Sequence, residues 1–112
     1  MIGIPNFIKA FVLEVGMQYF ETGTTPRLST TWRDPDDVLT DADGDVTLTI
    51  YLSGVAAYGP YTTTKTSTGV YEHWFPVPAE AEVGVYVFEW TGLFSTKAQA
   101  GRFRHHIVNN AK

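Results

Sequence analysis

Asp41, Asp43 and Asp45, in the run Asp-Ala-Asp-Gly-Asp, are the residues of this chain best suited to hold a hard cation. Alternating carboxylates can converge oxygen ligands on calcium. Read as a helical calcium loop, the run fails. With Asp41 first, Val46 stands where the turn glycine belongs and Leu52 where the bidentate glutamate belongs. The competing reading is a solvated turn ahead of the next element. Asp34, Asp36 and Asp37 enlarge the anionic patch without supplying metal geometry.

The three histidines offer less. His105 and His106 are neighbours, and on a strand neighbouring side chains point to opposite faces, so the pair cannot chelate one ion. His73 meets either of them only if strands bring it there. The chain contains no Gly-x-Ser-x-Gly elbow, no glycine-rich phosphate loop and no His-Glu-x-x-His. With no cysteine, a disulfide framework, a thiolate zinc site and a cysteine nucleophile are excluded. The expectation is a non-enzymatic protein without a cofactor.

Charge is uneven along the chain. The net charge is −4, yet six of the twelve acids fall between Asp34 and Asp45, which leaves the remainder net basic. From Lys97 onward come Arg102, Arg104 and Lys112 with no acid, and Arg102, Arg104 and His106 share a face if that stretch is a strand. Such a stripe suits an acidic partner or is simply a solvated face. The sequence therefore predicts two electrostatic ends, Asp34 to Asp45 and Lys97 to Arg104, able to draw copies together head to tail. Acidic overall and lacking an aromatic-interleaved basic platform, the chain is not read as a nucleic-acid binder.

The elements that position these residues are β-strands. Fifteen threonines, eleven valines and five isoleucines stand against six leucines, with 16 aromatics, a composition suited to pleated, half-buried surfaces. Strict alternation marks Pro26 to Trp32, with Leu28, Thr30 and Trp32 inward, and Val46 to Leu52, with Val46, Leu48, Ile50 and Leu52 inward. Tyr61 to Thr66 reads as an edge strand guarded by Lys65. Gly69 to Phe75, Val83 to Thr91 and Gln99 to Val108 complete the set, with Tyr71, His73 and Phe75, then Tyr86, Phe88 and Trp90, then Phe103, His105 and Ile107 on single faces. About seven short antiparallel strands in 112 residues describe an all-β sandwich of one domain.

The N-terminus is ambiguous. Phe7 to Val15 fits both helical and strand spacing and is expected to fill the domain's own first strand. Residues 1–6, with Ile2, Ile4 and Pro5, read as an extended apolar arm, and residues 7–112 as the domain. Ile2, Ile4 and Pro5 of the arm, with Phe7 just after it, are candidate partner contacts. Met1 to Phe20 lacks a basic leader and a small-x-small cleavage pattern, so it is not read as a signal peptide, and no apolar run of about 18 residues predicts a spanning helix.

Two segments carry a resemblance. One is Glu21-Thr-Gly-Thr-Thr-Pro-Arg-Leu-Ser-Thr-Thr-Trp-Arg-Asp-Pro-Asp-Asp-Val-Leu-Thr-Asp followed by the strand Asp45 to Tyr51. The other is Ser67-Thr-Gly-Val-Tyr-Glu-His-Trp-Phe with Val83-Gly-Val-Tyr-Val-Phe-Glu-Trp-Thr-Gly. Together, from Glu21 to Val108, they resemble the immunoglobulin-like domains of tailed-bacteriophage structural proteins: capsid decoration proteins, head fibres and the N-terminal part of baseplate upper proteins. The resemblance implies an immunoglobulin-like β-sandwich with an adhesive or architectural role in the virion, made in the bacterial host cytoplasm. The implied partners are the major capsid protein or another virion protein, and neighbouring copies of itself; nucleic acid and membrane are not among them. A capsid decoration or cement subunit is the first expectation, a neck, tail or baseplate component the second. Candidate partner residues are those of the arm together with Asp36, Asp37, Lys97, Arg102 and Arg104. From another class, a carbohydrate-binding module would use Trp32, Trp74, Trp90 and Tyr58 as stacking platforms.

Overall fold

A computed structural model describes residues 11–13 and 18–109. Among the described residues there is no helix, and nine strands form two sheets. They are β1 (Phe11–Leu13), β2 (Tyr19–Glu21), β3 (Arg27–Arg33), β4 (Thr47–Leu52), β5 (Val55–Thr62), β6 (Thr64–Ser67), β7 (Val70–Trp74), β8 (Gly84–Phe94) and β9 (Lys97–Val108). One sheet runs β1-β3-β7-β6 and the other β2-β9-β8-β4-β5. These orders are the ABED and GFC sheets of an immunoglobulin-like sandwich, with β5 added beyond β4 and the first strand divided between the sheets. The expected fold class is thus the observed one.

Three departures from the expected strand set have local causes. Pairing is antiparallel throughout except where β2 runs parallel to β9, because the N-terminal segment pairs first with β3 and then with β9 in the other sheet. The expected edge strand Tyr61 to Thr66 divides at Thr63, where the chain crosses between sheets. There the Thr63 amide and hydroxyl both donate to the Val46 carbonyl, at 3.0 and 2.6 Å. β5 is longer than its alternation suggests, since Val-Ala-Ala-Tyr-Gly-Pro-Tyr-Thr is a mostly exposed edge with two register shifts against β4. The candidate contacts Ile2, Ile4 and Pro5 of the arm, and Phe7 after it, lie outside the described residues.

The inward positions read from the sequence build the core. Leu28 and Trp32 from β3, Leu48 and Ile50 from β4, and Tyr86, Phe88 and Trp90 from β8 are all buried, as is Val46 just before β4. The register sets Leu48 beside Trp90, Ile50 beside Phe88 and Leu52 beside Tyr86. The sheets are joined by rings. Trp32 stacks on Phe94 at 4.8 Å, and Phe75 meets Phe88 edge-on at 6.0 Å and Tyr58 at 5.5 Å. Each such pair contributes about 0.5–1.5 kcal/mol beyond the burial of its area.

Buried polar groups are placed for bonding. The Trp32 indole Nε1–H donates to Thr30 Oγ1 at 3.1 Å. Tyr86 Oη donates to the Glu82 carbonyl at 2.5 Å, the tyrosine corner that immunoglobulin-like domains form at the start of this strand. Phe88, two residues on, occupies the place where disulfide-bearing relatives of the fold carry their second cysteine. His105, 1 % exposed, accepts the Gln18 amide on Nδ1 at 3.1 Å and lies against Phe20 and Phe88, which ties the start of β2 to β9.

His73 is different. Its ring stacks on Tyr61 at 4.5 Å, and its Nε2 is buried with no hydrogen-bond partner among the described residues. Leu28 flanks it in the β3 register. Burial holds its pKa below the ordinary histidine value.

Two outcomes follow from this packing. Tyr86→Phe removes one partly buried hydrogen bond and should lower stability by about 1 kcal/mol. A lower urea midpoint at unchanged m-value in equilibrium unfolding is the expected reading. Because the folded state disfavours His73 in its charged form, its contribution to stability is present above the unfolded pKa and is lost as the pH falls from there toward the depressed folded value. The midpoint should therefore decline between pH 7.5 and 5.5, and His73→Phe should show a shallower decline across the same interval.

Candidate functional site

The Asp-rich segment between β3 and β4 is a loop whose carboxylates accept hydrogen bonds from the chain itself. Asp34 Oδ1 accepts the amides of Asp36 at 2.9 Å and Val38 at 3.0 Å, an Asx-type turn. Arg33 donates to the Asp37 carbonyl at 3.0 Å, and Asp37 adopts φ 66° to close the turn. Asp41 receives Lys65 Nζ on one oxygen and the Gly69 amide on the other, both at 2.8 Å. Asp43 Oδ2 accepts the Thr96 amide at 2.8 Å while its own amide donates to the Leu93 carbonyl at 2.7 Å. Among the described residues no three metal-ligating side chains converge, so the structure does not assemble Asp41, Asp43 and Asp45 into a cation site. Asp41 and Asp43 instead fasten the β6–β7 and β8–β9 turns to one end of the sandwich.

Gly69 shows how tight the first fastening is. It has φ 73°, and a Cβ there would stand 2.8 Å from the Trp32 carbonyl and 3.0 Å from the Thr40 amide. Only glycine fits. The Lys65 hydrogen bond, helped by the Gly69 amide, holds the Asp41 pKa below the usual carboxylate value, and the same bond raises that of Lys65.

The basic stripe of β9 faces outward on the five-stranded sheet as its alternation predicts. Its charges do not make a separate end. Arg102 pairs with Glu89 on β8 at 2.7 Å, and Glu89 also accepts the Tyr51 hydroxyl at 3.2 Å. The Glu89 charge is the main cause of the raised Tyr51 pKa. Lys97 follows the turn that Asp43 holds, so it stands at the acidic loop's own end. Lys65 and Arg33 are likewise paired within this region, with Asp41 and Asp37. The expected two-ended charge distribution is corrected at Lys97, which the β8–β9 turn sets at the acidic loop's end, while Arg102 and Arg104 lie further along β9, opposite Glu89 and Val87 of β8. Arg104 has no carboxylate partner among the described residues.

The histidines stay apart in function. His105 is in the core, His106 lies on the outer face stacked on Tyr19 at 4.6 Å, and His73 sits in the seam beside Tyr61. Of the expected sugar platforms, Trp32 and Trp90 are wholly buried and Tyr58 packs between Phe75 and Tyr86. Trp74 alone is open, 56 % exposed on the outer face of the four-stranded sheet beside the Arg27–Glu72 ion pair.

One feature of the loop end was not singled out from the sequence. Val38 and Leu39 are exposed next to Asp36 and Asp37, and Leu93 is exposed where the Asp43 amide bonds to its carbonyl. Two large aliphatic residues inside an Asp-rich turn are the signal that marks them.

No family model matches the chain, and no curated protein matches it. Solved structures do. A domain of the endo-β-1,4-mannanase from Thermotoga petrophila superposes with TM-score 0.64 at 10 % identity, covering 91 % of this chain and 20 % of the enzyme. An engineered protein gives 0.62 at 9 % identity over 89 % of this chain and 20 % of its own. Titin domain M7 gives 0.51 at 13 % identity over 96 % of this chain and 99 % of that domain. The chain thus spans about a fifth of the length of the first two. At such identities the likeness shows the fold, an immunoglobulin-like β-sandwich.

Proposed function

We propose that this chain is a non-enzymatic architectural module that docks through its loop end. The observation that supports it is what that end displays: Val38 and Leu39 exposed beside Asp36 and Asp37, and Leu93 exposed near Lys97, on loops tied down by hydrogen bonds to Asp34, Asp41 and Asp43. Apolar side chains displayed on preorganised loops bind with little ordering cost, and flanking charges set orientation and partner choice. For the setting, the resemblance of Glu21 to Val108 favours a tailed-phage virion, with the chain as a decoration or cement subunit on the lattice of the major capsid protein. A neck, tail or baseplate position is the alternative in the same setting. In either place the arm, residues 1–6, is a second proposed contact.

A second reading rests on Trp74. An open indole on a flat sheet face, with Arg27 and Glu72 beside it, is able to stack on one sugar ring.

Sedimentation with capsids lacking the protein tests the first reading. The wild-type chain should pellet with expanded capsids and not with procapsids. Val38→Asp with Leu39→Asp should keep the thermal midpoint while losing at least about tenfold in affinity, as expected when a central apolar contact worth some 1.4 kcal/mol or more is removed. Binding to neither capsid form, with a discrete ring from the protein alone, would move the assignment to the neck or tail. For the second reading, soluble polysaccharide should shift tryptophan fluorescence in the wild type and not in Trp74→Ala.

A further inference from the structure

We propose that the outer face of the five-stranded sheet, centred on Tyr19, His106 and Val85, is the contact between two copies of this chain related by a two-fold axis. The surface differs from the loop end, and the inference does not rest on the virion reading.

The strand register defines the face as rows. Tyr19, His106 and Val85 lie side by side across β2, β9 and β8. On one side of this row come Val87 and Arg104, with Tyr51 of β4 beyond them. On the other side come Glu21 and Val108, with Val83 just before β8. In the middle row Tyr19 is 66 % exposed and Val85 43 %, with the half-buried His106 ring stacked on Tyr19 between them, and Val83 beside the row is 53 % exposed. A patch of this kind, continued by Val87, is uncommon on the outer face of a sheet that has nothing to cover.

Charge selects the occupant. Arg104 stands one row to one side of the apolar row and Glu21 one row to the other, and neither has an ion-pair partner among the described residues. Along the strands the two are separated by four residue steps, roughly 13 Å, and they sit on adjacent strands, so they do not meet within one chain. A two-fold axis lying along the middle row changes this. It leaves each strand facing its own copy but exchanges the rows, so Arg104 of one copy comes level with Glu21 of the other, offset sideways by one strand spacing, about 4.8 Å, across a gap between sheets of about 10 Å that the two long side chains reach over. The same operation sets Val85 against Val85, Val83 against Val87, and the Tyr19–His106 stack against its copy. A cation and an anion equally spaced about an apolar line make the patch complementary to itself, as an isologous contact needs, because residue i then meets j and j meets i. A partner of single charge would satisfy only one of the two. Sheets pack face to face in this way at about 30°, as the layers of a sandwich do.

The test is sedimentation equilibrium of the full chain from micromolar to about 500 µM, a range that reaches weak standard-size contacts. The wild type should be a monomer–dimer system. Val85→Asp should be monomeric with an unchanged thermal midpoint, since the site is exposed. Arg104→Glu and Glu21→Arg should each weaken the dimer by about tenfold or more, a loss equivalent to roughly 1.4 kcal/mol, through like-charge contact. The double variant should recover it, and an equimolar mixture of the two single variants should form a heterodimer, which a purely structural role for either residue would not produce. A monomer at every concentration overturns the proposal. So does a dimer indifferent to Val85→Asp and to the charge exchange, which would place the contact on another face.

Discussion

Two sheets with no disulfide between them must be held by what their inner faces put in contact, and in a chain without cysteine much of that falls to aromatic rings. Trp32 against Phe94, Phe75 against Phe88 and Tyr58, and Tyr61 against His73 are among the contacts that span the gap. Phe88 stands where a disulfide would otherwise be, beside a tyrosine corner that is kept. The substitution replaces one bond by a distributed contact whose strength depends on fit. The inner faces are accordingly closed to function, and two of the three tryptophans are structural.

Chemistry capable of doing something else is displaced to the outside. At one end, the acids of the β3–β4 loop bind the neighbouring turns through backbone amides, which ties loop geometry to the sheet edges behind it. Gly69, wedged between Trp32 and Thr40, shows that the fastening reaches the end of the core strand itself. On the sheet faces, Glu89 joins Tyr51 and Arg102 across three strands, so charge there stiffens the sheet as much as it decorates it. What these bonds leave unengaged, Val38, Leu39, Trp74, Val85 and Arg104, is the protein's accessible vocabulary.

The strands that pack were legible, while of those that fringe the sandwich only the edge from Tyr61 to Thr66 was, undivided where the structure splits it between β5 and β6. Leu28, Thr30 and Trp32, or Tyr86, Phe88 and Trp90, alternate because one face is dry. β5 is exposed on nearly every residue, so burial imposes no pattern on it. β2 was hidden because three residues are too few to show a period. The acidic cluster forms a turn whose carboxylates accept the chain's own amides, and sequence spacing alone does not separate this from a cation loop, since the spacing that gathers oxygens for an ion also gathers them for amides. Summed charge misled for a related reason: it counts groups and does not see Asp43 bonded to the turn that carries Lys97, or Glu89 opposite Arg102.

The parallel pairing of β2 with β9 bears on how the molecule is made. Among the described strands β2 has β9 as its neighbour, and Gln18 gives its amide to His105. A ribosome delivers the first of these partners nearly ninety residues before the second. Phe20 must therefore wait outside the core until β9 emerges, even though β3 to β8 already hold the chain segments needed to pair with one another. β2, made ahead of β3 to β9, is thus among the last strands to be seated, and this non-local closure sets a long search into the final stage of folding.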